Sequence, residues 1–147
     1  MTGFNPTSFF NGTWYVTHVK DKTSASVCQT FTTSTQDGKY KVEYKYNNGG
    51  QEYTVTCLTD QGGSPKLTFS CTRGESSTFQ AEFTIMDTDY NDYAVFYRCV
   101  TFTSGSKADN YLVLRRDNSK KEIPAQAKSL TDPLDLKTCE LTRTFVL

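Results

Sequence analysis

Phe9-Phe10-Asn11-Gly12-Thr13-Trp14-Tyr15 leads into the first extended run of the chain and carries its single tryptophan. A tryptophan on a first strand needs a large packing partner, and an arginine closing a last strand can lay its guanidinium over the indole. Two further stretches complete the pattern: Thr88-Asp89-Tyr90, and Arg115-Arg116 at the end of an apolar run. If Trp14 and Arg116 meet, the sheet has closed on itself and one end of the barrel is plugged.

Between these stretches the sequence alternates with a period of two. Strands are expected over 13–20, 26–35, 39–46, 51–59, 66–72, 77–86, 92–103 and 110–116. Their separators carry turn chemistry: Asp37-Gly38, Asn47 to Gly50, Gly62-Gly63-Ser64-Pro65, Arg73-Gly74, Asp89-Tyr90-Asn91 and Ser104-Gly105-Ser106. Regular spacing of this kind predicts an all-β sandwich or up-and-down barrel. Ser119 and Glu122 form a capping-box pattern, and Ile123, Ala127 and Leu130 follow at helical spacing. A short helix near 120–130, ended by Pro133, is expected.

The composition fits one domain spanning 1–147. A chain of 147 residues can bury a self-sufficient core. Lys+Arg and Asp+Glu balance at 16 each, so no global field favours nucleic acid or an anionic membrane. No stretch approaches the roughly 20 apolar residues of a spanning helix. Met1-Thr2-Gly3 is followed by no signal-peptide core, which reads as a mature or recombinant chain.

Five cysteines with heavy Thr, Ser and Tyr use point to an extracellular compartment. Cys57 and Cys71 flank the Gly62–Pro65 turn and suit a cross-link between adjacent strands. Cys28 and Cys139 would then tie the tail to the barrel wall, leaving Cys99 over, although spacing alone does not fix connectivity. With one histidine, no C-x-x-C pair, no G-x-S-x-G and no phosphate loop, neither a metal site, a cofactor nor an enzyme is expected.

Alternation sorts the faces. Phe79, Ala81, Phe83 and Ile85 share the inner side of 77–86. Trp14, Val16 and His18 share one side of the first strand, as do Gln29 and Phe31 in the second, and Leu112, Leu114 and Arg116 in the last. The strand 92–103 is apolar on both sides, so one lines the barrel and the other lies under the C-terminal helix. If Cys99 faces outward, then Phe96, Arg98 and Val100 face in.

The three opening stretches resemble the signatures of the lipocalins: G-x-W on the first strand, T-D-Y before the seventh, and an arginine at the end of the eighth. Phe9 to Tyr15, Val27-Cys28-Gln29-Thr30-Phe31-Thr32-Thr33 and Tyr111-Leu112-Val113-Leu114 more specifically resemble salivary lipocalins of blood-feeding triatomine bugs, in the branch with triabin and pallidipin. The resemblance implies an eight-stranded antiparallel barrel secreted into saliva, with the second and third strands exchanged (order A-C-B-D). It implies a structural plug formed by Trp14 and Arg116. In that family a cysteine before the first strand bonds to one on the seventh; none precedes Phe4 here, so Cys99 matches the orphaned half. Haem-binding relatives place a histidine on an early inner strand, and 39–46 contains none.

Members of the family scavenge small mediators or, in triabin, block thrombin through the surface. On the barrel reading, Val16, His18, Gln29, Phe31, Tyr44, Phe69, Phe83, Phe96, Arg98, Val100, Leu112 and Leu114 line the ligand site. A guanidinium inside an apolar barrel is costly unless paired, and a ligand carboxylate would complete it. About ten buried methylenes would contribute on the order of 8 kcal/mol before ordering costs. The expected function is sequestration, by a monomer, of a small amphipathic acidic lipid such as a cysteinyl leukotriene or thromboxane-like eicosanoid. The alternatives are a surface-acting thrombin inhibitor, or a binder of ADP or biogenic amines.

Overall fold

A computed structural model describes residues 4–20, 30–48, 51–60, 66–73, 77–102, 104–117, 119–120 and 122–138. Cys28, Gln29 and Cys139 lie outside the described residues, so the Cys28–Cys139 pairing and the inner placement of Gln29 do too.

A four-residue helix, α1 (Pro6–Phe9), precedes the sheet, with the Asn5 side chain accepting from the Ser8 amide. Eight antiparallel strands follow: β1 (Gly12–Val19), β2 (Thr30–Gln36), β3 (Lys39–Asn48), β4 (Gln51–Asp60), β5 (Lys66–Arg73), β6 (Ser77–Thr88), β7 (Tyr93–Phe102) and β8 (Lys107–Arg115). Each pairs with the next in sequence, and β1 pairs with both β8 and β2, which closes the barrel. A two-residue strand, β9 (Lys137–Thr138), adds to β1 outside the circle.

The expected exchange of the second and third strands is not what the chain adopts: the order is sequential. Asp37 and Gly38 both have positive φ, 52° and 77°, as a tight type I′ hairpin requires, and they fold β2 directly onto β3. The other edge of β3 is paired with β4 along its whole length, from Lys39↔Asp60 to Asn48↔Gln51. β1 therefore meets β2, with Trp14 opposite Phe31.

The inner faces form one buried cluster running from Phe9, Phe10 and Trp14 to Phe31, Phe69, Phe83 and Phe96. A second, smaller core lies outside the barrel: Tyr93, Val95, Val113 and Ala127, with Met86, Ile123, Leu130 and Leu136 packed on it. The two-sided apolar pattern of β7 thus serves both cores, as the sequence implies. The covering segment is a 3₁₀ turn (Ala125–Ala127), α2 (Lys128–Thr131) and a second 3₁₀ turn (Asp132–Leu134).

This helical segment starts later than the capping-box pattern suggests. Ser119 instead gives both its amide and its hydroxyl to the Asp117 carboxylate. Pro124 is extended, at ψ 144°, so the turn begins only after it. Pro133 does not stop the helix but sits in the first turn of the last 3₁₀ piece, where its missing N–H costs nothing. Arg115, 4 % exposed, anchors the segment by donating to the Asp92 carboxylate and the Glu122 carbonyl.

Candidate functional site

One end of the barrel is plugged as expected. Trp14 is fully buried, stacked on Phe9 at 5.1 Å and donating its indole N–H to the Phe9 carbonyl at 3.0 Å. The Arg116 guanidinium carbon lies 3.7 Å from the indole centroid. Its nitrogens donate to the carbonyls of Tyr90, Thr13 and Phe9, tying three segments together. Burial pushes its pKa down, and an arginine keeps its charge at neutral pH.

Gly12 has φ +100°, and a Cβ there would stand 3.4 Å from an Arg116 nitrogen. The positive φ favours glycine here, and the Arg116 side chain lies within ordinary contact distance of the added Cβ.

The Thr88-Asp89-Tyr90 stretch builds the loop above this plug. The Thr88 hydroxyl donates to the Tyr93 carbonyl and accepts the Tyr90 amide. The Asp89 carboxylate accepts the amides of Asn91, Asp92 and Tyr93. Tyr90, at φ 68°, presents its carbonyl to Arg116 and its hydroxyl to the Asn5 amide. With Asp87 accepting from the Tyr93 hydroxyl and Asp92 holding Arg115, the acidic residues here are structural.

The lower half of the barrel is not hollow. Phe10 contacts Tyr40 and Phe69, Phe69 contacts Phe83, Phe83 contacts Phe96 and Phe96 contacts Phe31, with centroids 4.8–6.0 Å apart. The cavity among Phe10, Trp14, Phe31, Phe83, Phe96 and Leu114 is about 10 Å³. That is about the space of one water. Phe69, Phe83, Phe96, Leu112 and Leu114, expected along the ligand site, are all buried. Among the described residues, alternation puts large aromatics on many inner positions, and they pack against one another around this small cavity.

Exposure rises toward the opposite end. Along the inner face of β7, Ala94 and Phe96 are buried, Arg98 and Val100 are half-buried, and Phe102 is 44 % exposed. Tyr53, Arg73 and Phe79 show the same half-burial on β4, β5 and β6. The interior is therefore a bowl above a solid base.

Arg98 enters this bowl as expected, because Cys99 faces outward opposite Asp109, where its thiol is free. The Arg98 guanidinium lies 5.9 Å from the Phe31 ring and 5.8 Å from the Tyr44 ring, which are themselves 5.3 Å apart. Desolvation lowers the Arg98 pKa, and the Tyr44 phenol partly offsets this. The Cys57–Cys71 disulfide joins directly opposed residues and points into the core, where both sulfurs are buried.

Two mouth residues were not anticipated. Arg73 is paired with Val55 in the ladder and stacks on Tyr53, its guanidinium carbon 5.1 Å from that ring. The signal was present: Cys71 and Arg73 are two apart on one strand, so an inward Cys71 implies an inward Arg73. Assigning Arg73-Gly74 to a turn concealed it.

His18 does not face the barrel interior. The β1–β8 register shifts between Val16 and His18, so Val16 stays inside and Val19 takes the next inner position, opposite Leu112. His18 then lies opposite Val113 on the outer face and beside β9, its Nδ1 2.8 Å from the Thr17 hydroxyl. A single extra residue reverses the side on which every later residue falls.

Burial there, reinforced by the Arg115 charge and only partly opposed by Glu122, holds the His18 pKa below its ordinary value. The unfolded chain then binds more protons, so stability is retained above about pH 6.5 and lost as pH falls through the folded-state pKa. Between pH 7.5 and 5 the melting temperature should fall further for the wild type than for His18→Gln. Parallel losses would remove His18 as the cause.

Residues 1–130 match the family model described as Triabin. The chain is 37% identical to Procalin of Hospesneotomae protracta over 142 residues, covering 95% of this chain and 84% of Procalin. It is 38% identical to Triabin of Meccus pallidipennis over 128 residues, covering 86% of this chain and 80% of Triabin. Among solved structures, it superposes on a mutant of LTBP1 in complex with leukotriene C4 with a TM-score of 0.73 and 28% identity, covering 97% and 90% of the two chains. On its plugged, closed barrel and on these matches, the chain belongs to the triabin family of triatomine salivary lipocalins.

Proposed function

We propose that this protein is a secreted salivary lipocalin that sequesters a small acidic lipid, of the eicosanoid class, in the bowl at the open half of its barrel. The observation that carries this reading is the Arg98 guanidinium held inside the barrel against Phe31 and Tyr44. A ligand carboxylate meets Arg98 in a charge-assisted contact, and the aromatic base supports an apolar chain. Because the base is solid, the chain lies across the bowl and does not thread toward Trp14. The likeness to a protein crystallised with leukotriene C4 supports the same class. The mechanism is stoichiometric capture by a monomer, without catalysis.

Isothermal titration with leukotriene C4, a thromboxane mimic, ADP and serotonin, beside a thrombin inhibition assay, tests this. Heat is expected with the two lipids and not with serotonin or ADP. Arg98→Ala should weaken lipid binding roughly 10- to 100-fold, the worth of one hydrogen-bonded ion pair. Unchanged affinity in that variant would retire Arg98.

The solid base favours a second reading, in which the barrel is only a scaffold for a surface that inhibits a host protease such as thrombin. A scaffold needs no void, and the cavity near Trp14 is about 10 Å³. Thrombin inhibition with no heat from either lipid would establish it over the first.

A further inference from the structure

We infer that Asn11 is a glycosylation site, which puts an N-linked glycan on the sealed end of the barrel. This rests on the secreted part of the reading above and is independent of the ligand. Asn11-Gly12-Thr13 has the acceptor form Asn-x-Thr, with a residue other than proline in the middle. Asn5-Pro6-Thr7 has the same form but is barred by its proline, and no other asparagine of the chain qualifies.

The sequon lies within the stretch that builds the plug, which from sequence argues for an unmodified residue. The structure separates the two. Phe10 and Trp14 turn inward, 1 % and 0 % exposed, whereas Asn11 and Gly12 are exposed. The chain leaves α1 through Phe10 and enters β1 at Gly12, so Asn11 stands on the outside of that junction. Its neighbours are held through their backbones. The Gly12 carbonyl accepts the Thr33 hydroxyl at 2.7 Å, and the Thr13 carbonyl accepts Arg116 at 3.1 Å. A bulky substituent on the Asn11 amide therefore extends into solvent and leaves these bonds in place.

In the modification, the Asn11 Nδ2 bonds to the anomeric carbon of a lipid-pyrophosphate-linked oligosaccharide. The bond from that carbon to the pyrophosphate oxygen breaks, the lipid pyrophosphate leaves and one amide proton is released. Phe102, 44 % exposed, marks the opposite end of the barrel. The glycan thus leaves the mouth open and screens the surface around Arg116 from protein partners.

Wild type, Asn11→Gln, Thr13→Val and Thr13→Ser, secreted from human cells behind a secretion signal, test this by intact mass and glycopeptide mapping. Wild type and Thr13→Ser should carry a glycan on the peptide holding Asn11, removed by peptide-N-glycosidase. Asn11→Gln and Thr13→Val should carry none; the second keeps the asparagine and loses only the hydroxyl that the transferase reads. Wild type recovered from the medium with its bare mass overturns the assignment and leaves secretion and lipid capture untouched. A glycan that persists in Asn11→Gln also overturns it. The secreted reading is tested separately, by finding the natural protein in saliva; its absence there overturns that reading and this inference with it.

Discussion

Trp14→Ala lowers the stability of the fold by about 4 kcal/mol, the range for removing a large aromatic from a packed core. The residue has no solvent exposure and fills the base of the barrel. Its loss strips Arg116 of the ring 3.7 Å beneath it and leaves the Phe9 carbonyl without its indole donor. The surrounding side chains belong to four or more strands already locked in register, so the space cannot collapse cheaply. For a domain of this size the melting temperature should drop by roughly 10 °C. A urea-unfolding loss of under about 1.5 kcal/mol would mean that the plug is not integral to the core.

Asp92→Ala costs about 3 kcal/mol, and Arg115→Met costs clearly less. Arg115 is 4 % exposed and donates three hydrogen bonds to the Asp92 carboxylate, at 3.1–3.3 Å. Removing the carboxylate takes the charged partner from a guanidinium that is 4 % exposed and leaves it the Glu122 carbonyl. Removing the arginine leaves Asp92, whose side chain is 32% exposed and also faces Lys120 at 3.8 Å. That carboxylate can be hydrated, and methionine keeps much of the lost volume. Paired chemical denaturation curves read the asymmetry directly. Equal losses, or a greater loss in Arg115→Met, would contradict the desolvation argument.

The barrel was legible because its determinants are local. Asp37-Gly38 specifies a hairpin, the alternation of Phe79, Ala81, Phe83 and Ile85 specifies a face, and Trp14 with Arg116 specifies closure. Arg98 followed from the same parity. His18 did not, because a one-residue bulge at Thr17 leaves no mark in the hydrophobic pattern and yet inverts every side chain after it. Nor could parity reveal whether inner side chains leave a void. It says which way Phe69 and Phe83 point, not that their rings approach to 4.8 Å and fill the section. Exchange of the early strands came from likeness to relatives, and the ladder between β1 and β2 overrode it.

The solid base carries an evolutionary consequence. Because the packing around Trp14 and the half-buried positions Tyr53, Arg73 and Phe79 at the other end involve different residues, changes at the mouth and changes of foldability fall on different positions. A lineage can rewrite the upper ring, exchanging one guanidinium or tyrosine for another, without eroding the foundation on which it stands. Descendants with unrelated prey can thus share one indole-sealed pedestal.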